Sequence, residues 1–153
     1  MPRRIEGEVV RLQCRSCASI FHAFTFSGDT DMVTGDLAFA TRVDSAELAL
    51  AEAPSADRLD EDDGAREALE ARIADALGRP GFRAPRLLRF EEPPPPPDPA
   101  QWQHYRAAKV VYQCIACPTG EAVEITRLSV RAFVRSSGRI NLLGDLVLDQ
   151  AGG

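Results

Sequence analysis

The sequence predicts an α+β fold: two antiparallel β units, residues 5–43 and 101–149, separated by a helical insertion over 44–80 and a proline-rich connector over 81–100, all within one domain spanning 1–153. Three observations carry this. Apolar residues alternate with period two near both ends of the chain. A stripe at Leu69, Ile73 and Leu77 has helical spacing in the middle. The stretches VVRLQCRSCAS (9–19) and VVYQCIACPTG (110–120) resemble one another, each placing a Cys-x-x-Cys behind a strand-like run.

Residues 6–14, EGEVVRLQC, read as a strand leading into the first cysteine pair. SIFHAFTF follows, with Ile20, His22, Phe24 and Phe26 on one side and Phe21, Ala23 and Thr25 on the other. SGDTD supplies turn residues, and GDLAFATRV resumes the alternation. DSAELALAEAP reads as a first helix, with Asp44 or Ser45 as cap and Pro54 as stop. A second helix is capped by Asp62 or Asp63 and ended by Gly78 and Pro80. EEPPPPPDP excludes helix interior and central strand. At about 3 Å per residue its five prolines form a polyproline strut of roughly 15 Å. Asp98 and Pro99 then look like the cap and first position of a short helix, AQWQHYR. AKVVYQC leads into the second cysteine pair, EAVEITRLSVRAFVR alternates as one long strand, SSGR turns, and INLLGDLVLD makes a last strand.

With 153 residues the chain can bury a sizeable core without cross-links. A formal net charge of −5 argues against wholesale nucleic-acid or membrane binding, which needs a positive field. No apolar run follows the arginines of MPRRIEGEVV, and no segment approaches the roughly 20 apolar residues of a membrane span. The expected location is the cytoplasm, where a Cys-x-x-Cys reads as metal-binding or redox-active and not as a structural disulfide.

The two β regions match beyond their cysteines. Val10 and Gln13 correspond to Val110 and Gln113, and GDLAF (35–39) resembles GDLVL (144–148). A duplicated three-stranded meander interrupted by the insertion explains this pattern. The chain's only cysteines are Cys14, Cys17, Cys114 and Cys117, and two facing turns of this kind complete a four-thiolate shell around one ion. The arrangement resembles the zinc-ribbon group, in which two cysteine knuckles share one zinc. That resemblance implies Cys14, Cys17, Cys114 and Cys117 as ligands of one structural zinc per chain. The first turn, CRSCAS, carries Ala18 where ribbon turns carry glycine, and the interval between turns is longer than in an ordinary ribbon. Alternatives are redox-active dithiols, unliganded buried thiols, an iron in place of zinc, and two half-sites completed by a second chain.

Four thiolates leave no open position for a catalytic water. His22 and His104 come with no H-x-E motif, and no nucleophile elbow, phosphate loop or dinucleotide fingerprint is present. Arg127, Arg131 and Arg135 share one parity of the expected strand, and with Arg139 and Trp102 they form a possible partner- or anion-binding surface. The acidic run Asp57–Asp63 reads as a solubilising loop. The leading expectation is a non-enzymatic, zinc-stabilised module that binds another protein, such as a regulatory adaptor or a toxin-neutralising immunity protein. Nucleic-acid binding through the cysteine turns and the arginines, and thiol redox or metal handling, are the alternatives. No membrane partner is expected, and the oligomeric state is open.

Overall fold

The structure is a computed structural model that describes residues 3–26, 37–43, 45–53, 59, 61–91, 97–100 and 109–148. The turn SGDTD, the Asp44 cap, Gly35 and Asp36, most of the acidic loop, the proline run 93–96 and the segment holding Trp102 and His104 lie outside the described residues. Among the described residues, ten strands and two helices follow in the order β1 (Arg3–Ile5), β2 (Gly7–Cys14), β3 (Ile20–Phe26), β4 (Leu37–Thr41), β5 (Glu47–Glu52), α1 (Asp63–Leu77), β6 (Leu87–Glu91), β7 (Lys109–Gln113), β8 (Glu121–Ser129), α2 (Val130–Arg135), β9 (Arg139–Leu142) and β10 (Leu146–Leu148). The α+β class is as expected.

The strands form a five-stranded sheet ordered β3-β2-β8-β7-β6, a three-stranded sheet β4-β5-β9 and a parallel pair β1-β10. β8 is antiparallel to both β2 and β7. β2 and β7 therefore run the same way and end side by side. Gln13 and Cys14 pair with Val123 and Ala122 of β8, and Gln113 pairs with Glu121. This shared central strand brings the two cysteine turns to one end of the sheet. The resemblance between the halves is realised as two hairpins of one sheet. It does not extend to a third strand, because β4 pairs with β5 and β10 with β1.

Several elements differ from expectation, and one is β6, an edge strand paired with β7 inside the span 81–100 read as a connector. Residues 47–52, ELALAE, form strand β5 and not a helix. Their helix-favouring composition is overridden by burial on both faces. Leu48 and Leu50 enter a core with Val9, Phe24 and Phe133, while Ala49 and Ala51 join Ala38 and Ala40 under Leu69 and Ile73 of α1. The small alanines let the helix sit close to the strands. The helix itself is as read: Asp62 accepts from the Ala65 N–H at 3.1 Å, and Gly78 closes it at φ +67° with its N–H on the Ala74 carbonyl. The long strand expected through Arg135 stops at Ser129, whose hydroxyl accepts from the Ala132 N–H at 3.1 Å and caps α2. The last strand is split by Gly144 at φ +68°.

One node locks α1 to the three-stranded sheet. Glu47 is buried and takes hydrogen bonds from Arg79 and from Asn141 Nδ2, the latter at 3.1 Å. Arg42 and Arg79 lie over the Phe82 ring, each guanidinium carbon 5.6 Å from its centroid. Among the described residues no helix is long and apolar enough to cross a membrane.

Candidate metal centre

The cysteine turns are short because each hairpin closes its ladder immediately beyond the thiols. Cys14 N–H donates to the Ser19 carbonyl at 3.0 Å, and Cys114 N–H to the Gly120 carbonyl at 2.9 Å. A second bond ties them together, from the Arg15 N–H to the Glu121 carbonyl at 2.8 Å. The repeated glutamines, visible in the sequence without a role, acquire one here. Gln13 donates through Nε2 to the Ala18 carbonyl at 3.4 Å, and Gln113 to the Pro118 carbonyl at 3.2 Å. Each spans its turn to the residue after the second cysteine.

The four Sγ atoms of Cys14, Cys17, Cys114 and Cys117 all lie within 4.8 Å of one another. Cys14 Sγ is 3.7 Å from Cys117 Sγ, and Cys17 Sγ is 3.7 Å from Cys114 Sγ. A tetrahedral ion with metal–sulfur bonds of about 2.3 Å requires sulfur–sulfur edges of about 3.8 Å, so these spacings fit one ion. All four donors come from a single chain. Backbone amides point at the sulfurs: Ser16 N–H lies 3.3 Å and Cys17 N–H 3.5 Å from Cys14 Sγ, and Ala116 N–H 3.2 Å from Cys114 Sγ. Such donors favour the thiolate.

Cys14 and Cys114 are buried in the same apolar cluster as Leu12, Phe21 and Tyr112, whereas Cys17 is exposed. Hydrogen bonds from the Ser19 hydroxyl and N–H bring the Cys17 thiol down to about 6. Burial pushes Cys114 up to about 12 and Cys117 upward as well. An ion at this site must displace protons from thiols that hold them at neutral pH, so its affinity rises with pH.

Two small residues make the centre possible. A Cβ on Gly120 would lie 2.3 Å from Cys14 Sγ and 2.6 Å from Cys117 Sγ. Ala18, the residue after Cys17, sits at φ +62°. That left-handed conformation strains an L-residue, and no one-residue sequence signal reveals it.

A ring of ion pairs braces the centre from outside. Arg15, between the first two cysteines, reaches Glu91 at 3.0 Å and Glu121 at 3.6 Å. Arg89 reaches the same two carboxylates at 2.8 and 2.6 Å. The edge strand β6 is thereby tied to the first turn. Hydrogen bonds from these guanidiniums, helped by their charge, hold both carboxyls below their usual range. Sequence reading missed the ring because its members are spread over three segments distant in the chain.

The remaining candidates go elsewhere. His22 is buried, takes a hydrogen bond from Arg11 Nε at 3.3 Å on Nε2 and packs on Phe133 with ring centroids 5.1 Å apart, outside the cysteine cluster. Arg127 is committed to Glu124 at 2.7 Å and Glu8 at 3.6 Å. Arg131 and Arg135 lie on α2 and not on a strand, and Arg139 opens β9. Compared with protein-family models, curated proteins and solved structures, the chain matches none.

Proposed function

We propose that the chain is a zinc-stabilised, non-enzymatic binding module of the cytoplasm, with one structural zinc held by Cys14, Cys17, Cys114 and Cys117 in two knuckle-like turns, and that its partner is another protein. The observation that supports this best is the sulfur geometry: four thiols of one chain within 4.8 Å, with cross-turn pairs at 3.7 Å. Zinc bound there would supply charge neutralisation of the thiolates and cross-link the two hairpins. A four-thiolate shell is closed and favours a structural role over catalysis. The scaffold around it is cross-tied, with paired glutamines, an apolar cluster that includes Cys14 and Cys114, and an ion-pair brace.

Native mass spectrometry beside denatured intact mass tests the metal reading. One zinc per chain, with four free thiols after denaturation, is the expected result. A metal-free native protein, or two disulfides, would overturn it. A cytoplasmic pull-down that returns no protein partner would count against the binding role.

A further inference from the structure

We propose that the outward face of α2, with Arg131, Val134, Arg135 and the adjacent Arg139, docks an acidic segment of a partner protein, one whose carboxylates flank an apolar side chain. This deepens the protein-binding reading above and rests on it.

Four observations converge. Residues 125–144 contain no Asp or Glu, in a chain with 23 acidic residues. Elsewhere Arg15, Arg42, Arg66, Arg79, Arg83, Arg89 and Arg127 each meet a carboxylate. Arg131, Arg135 and Arg139 are exposed and have no carboxylate within ion-pair distance among the described residues. The carboxylate nearest in register, Glu47 opposite Arg139, is already engaged by Arg79, Arg42 and Asn141. Finally, α2 buries Val130 and Phe133 and turns the other face outward. Positions 131, 134 and 135 share that face at i, i+3 and i+4, and Val134 on it is 49% exposed. An apolar residue between free guanidiniums has the make-up of a small protein interface, with a dry centre and a charged rim.

The features favour protein over nucleic acid as the partner. The chain's net charge of −5 opposes a polyanion. The aromatic residue of this segment, Phe133, is 1% exposed and offers no stacking platform. A peptide with a few carboxylates and an apolar centre satisfies both the charge and Val134.

The test is fluorescence anisotropy of the zinc-loaded full chain with a labelled 12-residue peptide of Glu, Asp and Leu, beside a single-stranded oligonucleotide and a Lys/Leu peptide. Saturable binding of the acidic peptide below about 100 µM at low salt is expected. R131E/R135E should weaken it at least tenfold, R131Q/R135Q by a smaller factor, and V134S severalfold. Zinc content and circular dichroism of each variant establish that it is folded. Absence of peptide binding, equal binding by R131E/R135E, or tighter binding of the oligonucleotide would overturn the proposal. Zinc bound without peptide binding defeats this inference alone. Peptide binding without zinc defeats the metal reading alone.

Discussion

Replacing Gly120 with alanine should disable the metal centre while leaving the sheet intact. Gly78, Gly81 and Gly144 are the described glycines at positive φ, so Gly120 is needed for space and not for backbone freedom. The added methyl would lie 2.3 Å from Cys14 Sγ, 2.6 Å from Cys117 Sγ and 3.3 Å from Cys114 Cβ. Ordinary contact is about 3.5–4 Å, so two of four ligands must each retreat by about 1 Å or more. Metal–ligand distances tolerate only about 0.2 Å. Loss of well-placed ligation geometry costs 10–100-fold even when only supporting groups are removed. Displacing two ligands should therefore weaken zinc at least 100-fold, or about 3 kcal/mol. Competition against a chromophoric chelator at neutral pH measures this. The control is Gly64→Ala in the first turn of α1, where a Cβ meets only the Asp62 carboxylate at 3.3 Å, and zinc affinity should stay at the wild-type value. Wild-type affinity in Gly120→Ala would refute the steric argument and with it the four-sulfur geometry.

Relief of strain at Ala18, φ +62°, means that Ala18→Gly should raise stability by up to about 1 kcal/mol, read as a higher denaturant midpoint of the zinc-loaded protein. His22 is held at about 4, chiefly by burial and secondarily by the Arg11 charge, below its ordinary value of about 6.5. The unfolded chain therefore takes the proton first. The stability contribution is complete above pH 6.5 and is lost as pH falls toward 4, by on the order of 3 kcal/mol at most. His22→Leu should flatten that part of a pH-dependent denaturation series, and an unchanged slope would contradict the assignment. Glu47→Ala removes a buried carboxylate that accepts from Asn141 Nδ2 and from the half-exposed Arg79 guanidinium and should cost about 1–3 kcal/mol, seen as a lower melting temperature with zinc affinity preserved. Arg15→Ala removes one side of the exposed ion-pair ring; its effect should be small and should vanish at high salt.

The legible parts of the sequence were those with a strong local cause. Period-two alternation located β2, β3 and β4, and the Asp62 cap, the Leu69–Ile73 stripe and Gly78 delimited α1. ELALAE misled because alanine, leucine and glutamate favour a helix in isolation. Only the packing of β5 between β4 and β9, with leucines on one face and alanines on the other, makes it a strand. The alternation through Arg135 misled in the opposite sense. Ser129 caps a helix at a place where apolar spacing suits either period.

The cysteine motifs and their glutamines were in the sequence, and chain chemistry alone marked them as four donors of matching context. That Cys14 and Cys17 meet Cys114 and Cys117 was decided by tertiary structure, because β8 pairs with β2 on one side and β7 on the other and ends both turns at the same place. The same holds for the room left by Gly120, the strain at Ala18, and the division of the arginines into those bound by carboxylates and those left free. Local periodicity reports which face of an element is apolar. Which charges and thiols share a neighbourhood depends on sheet order and register, and these are set by contacts between residues a hundred positions apart.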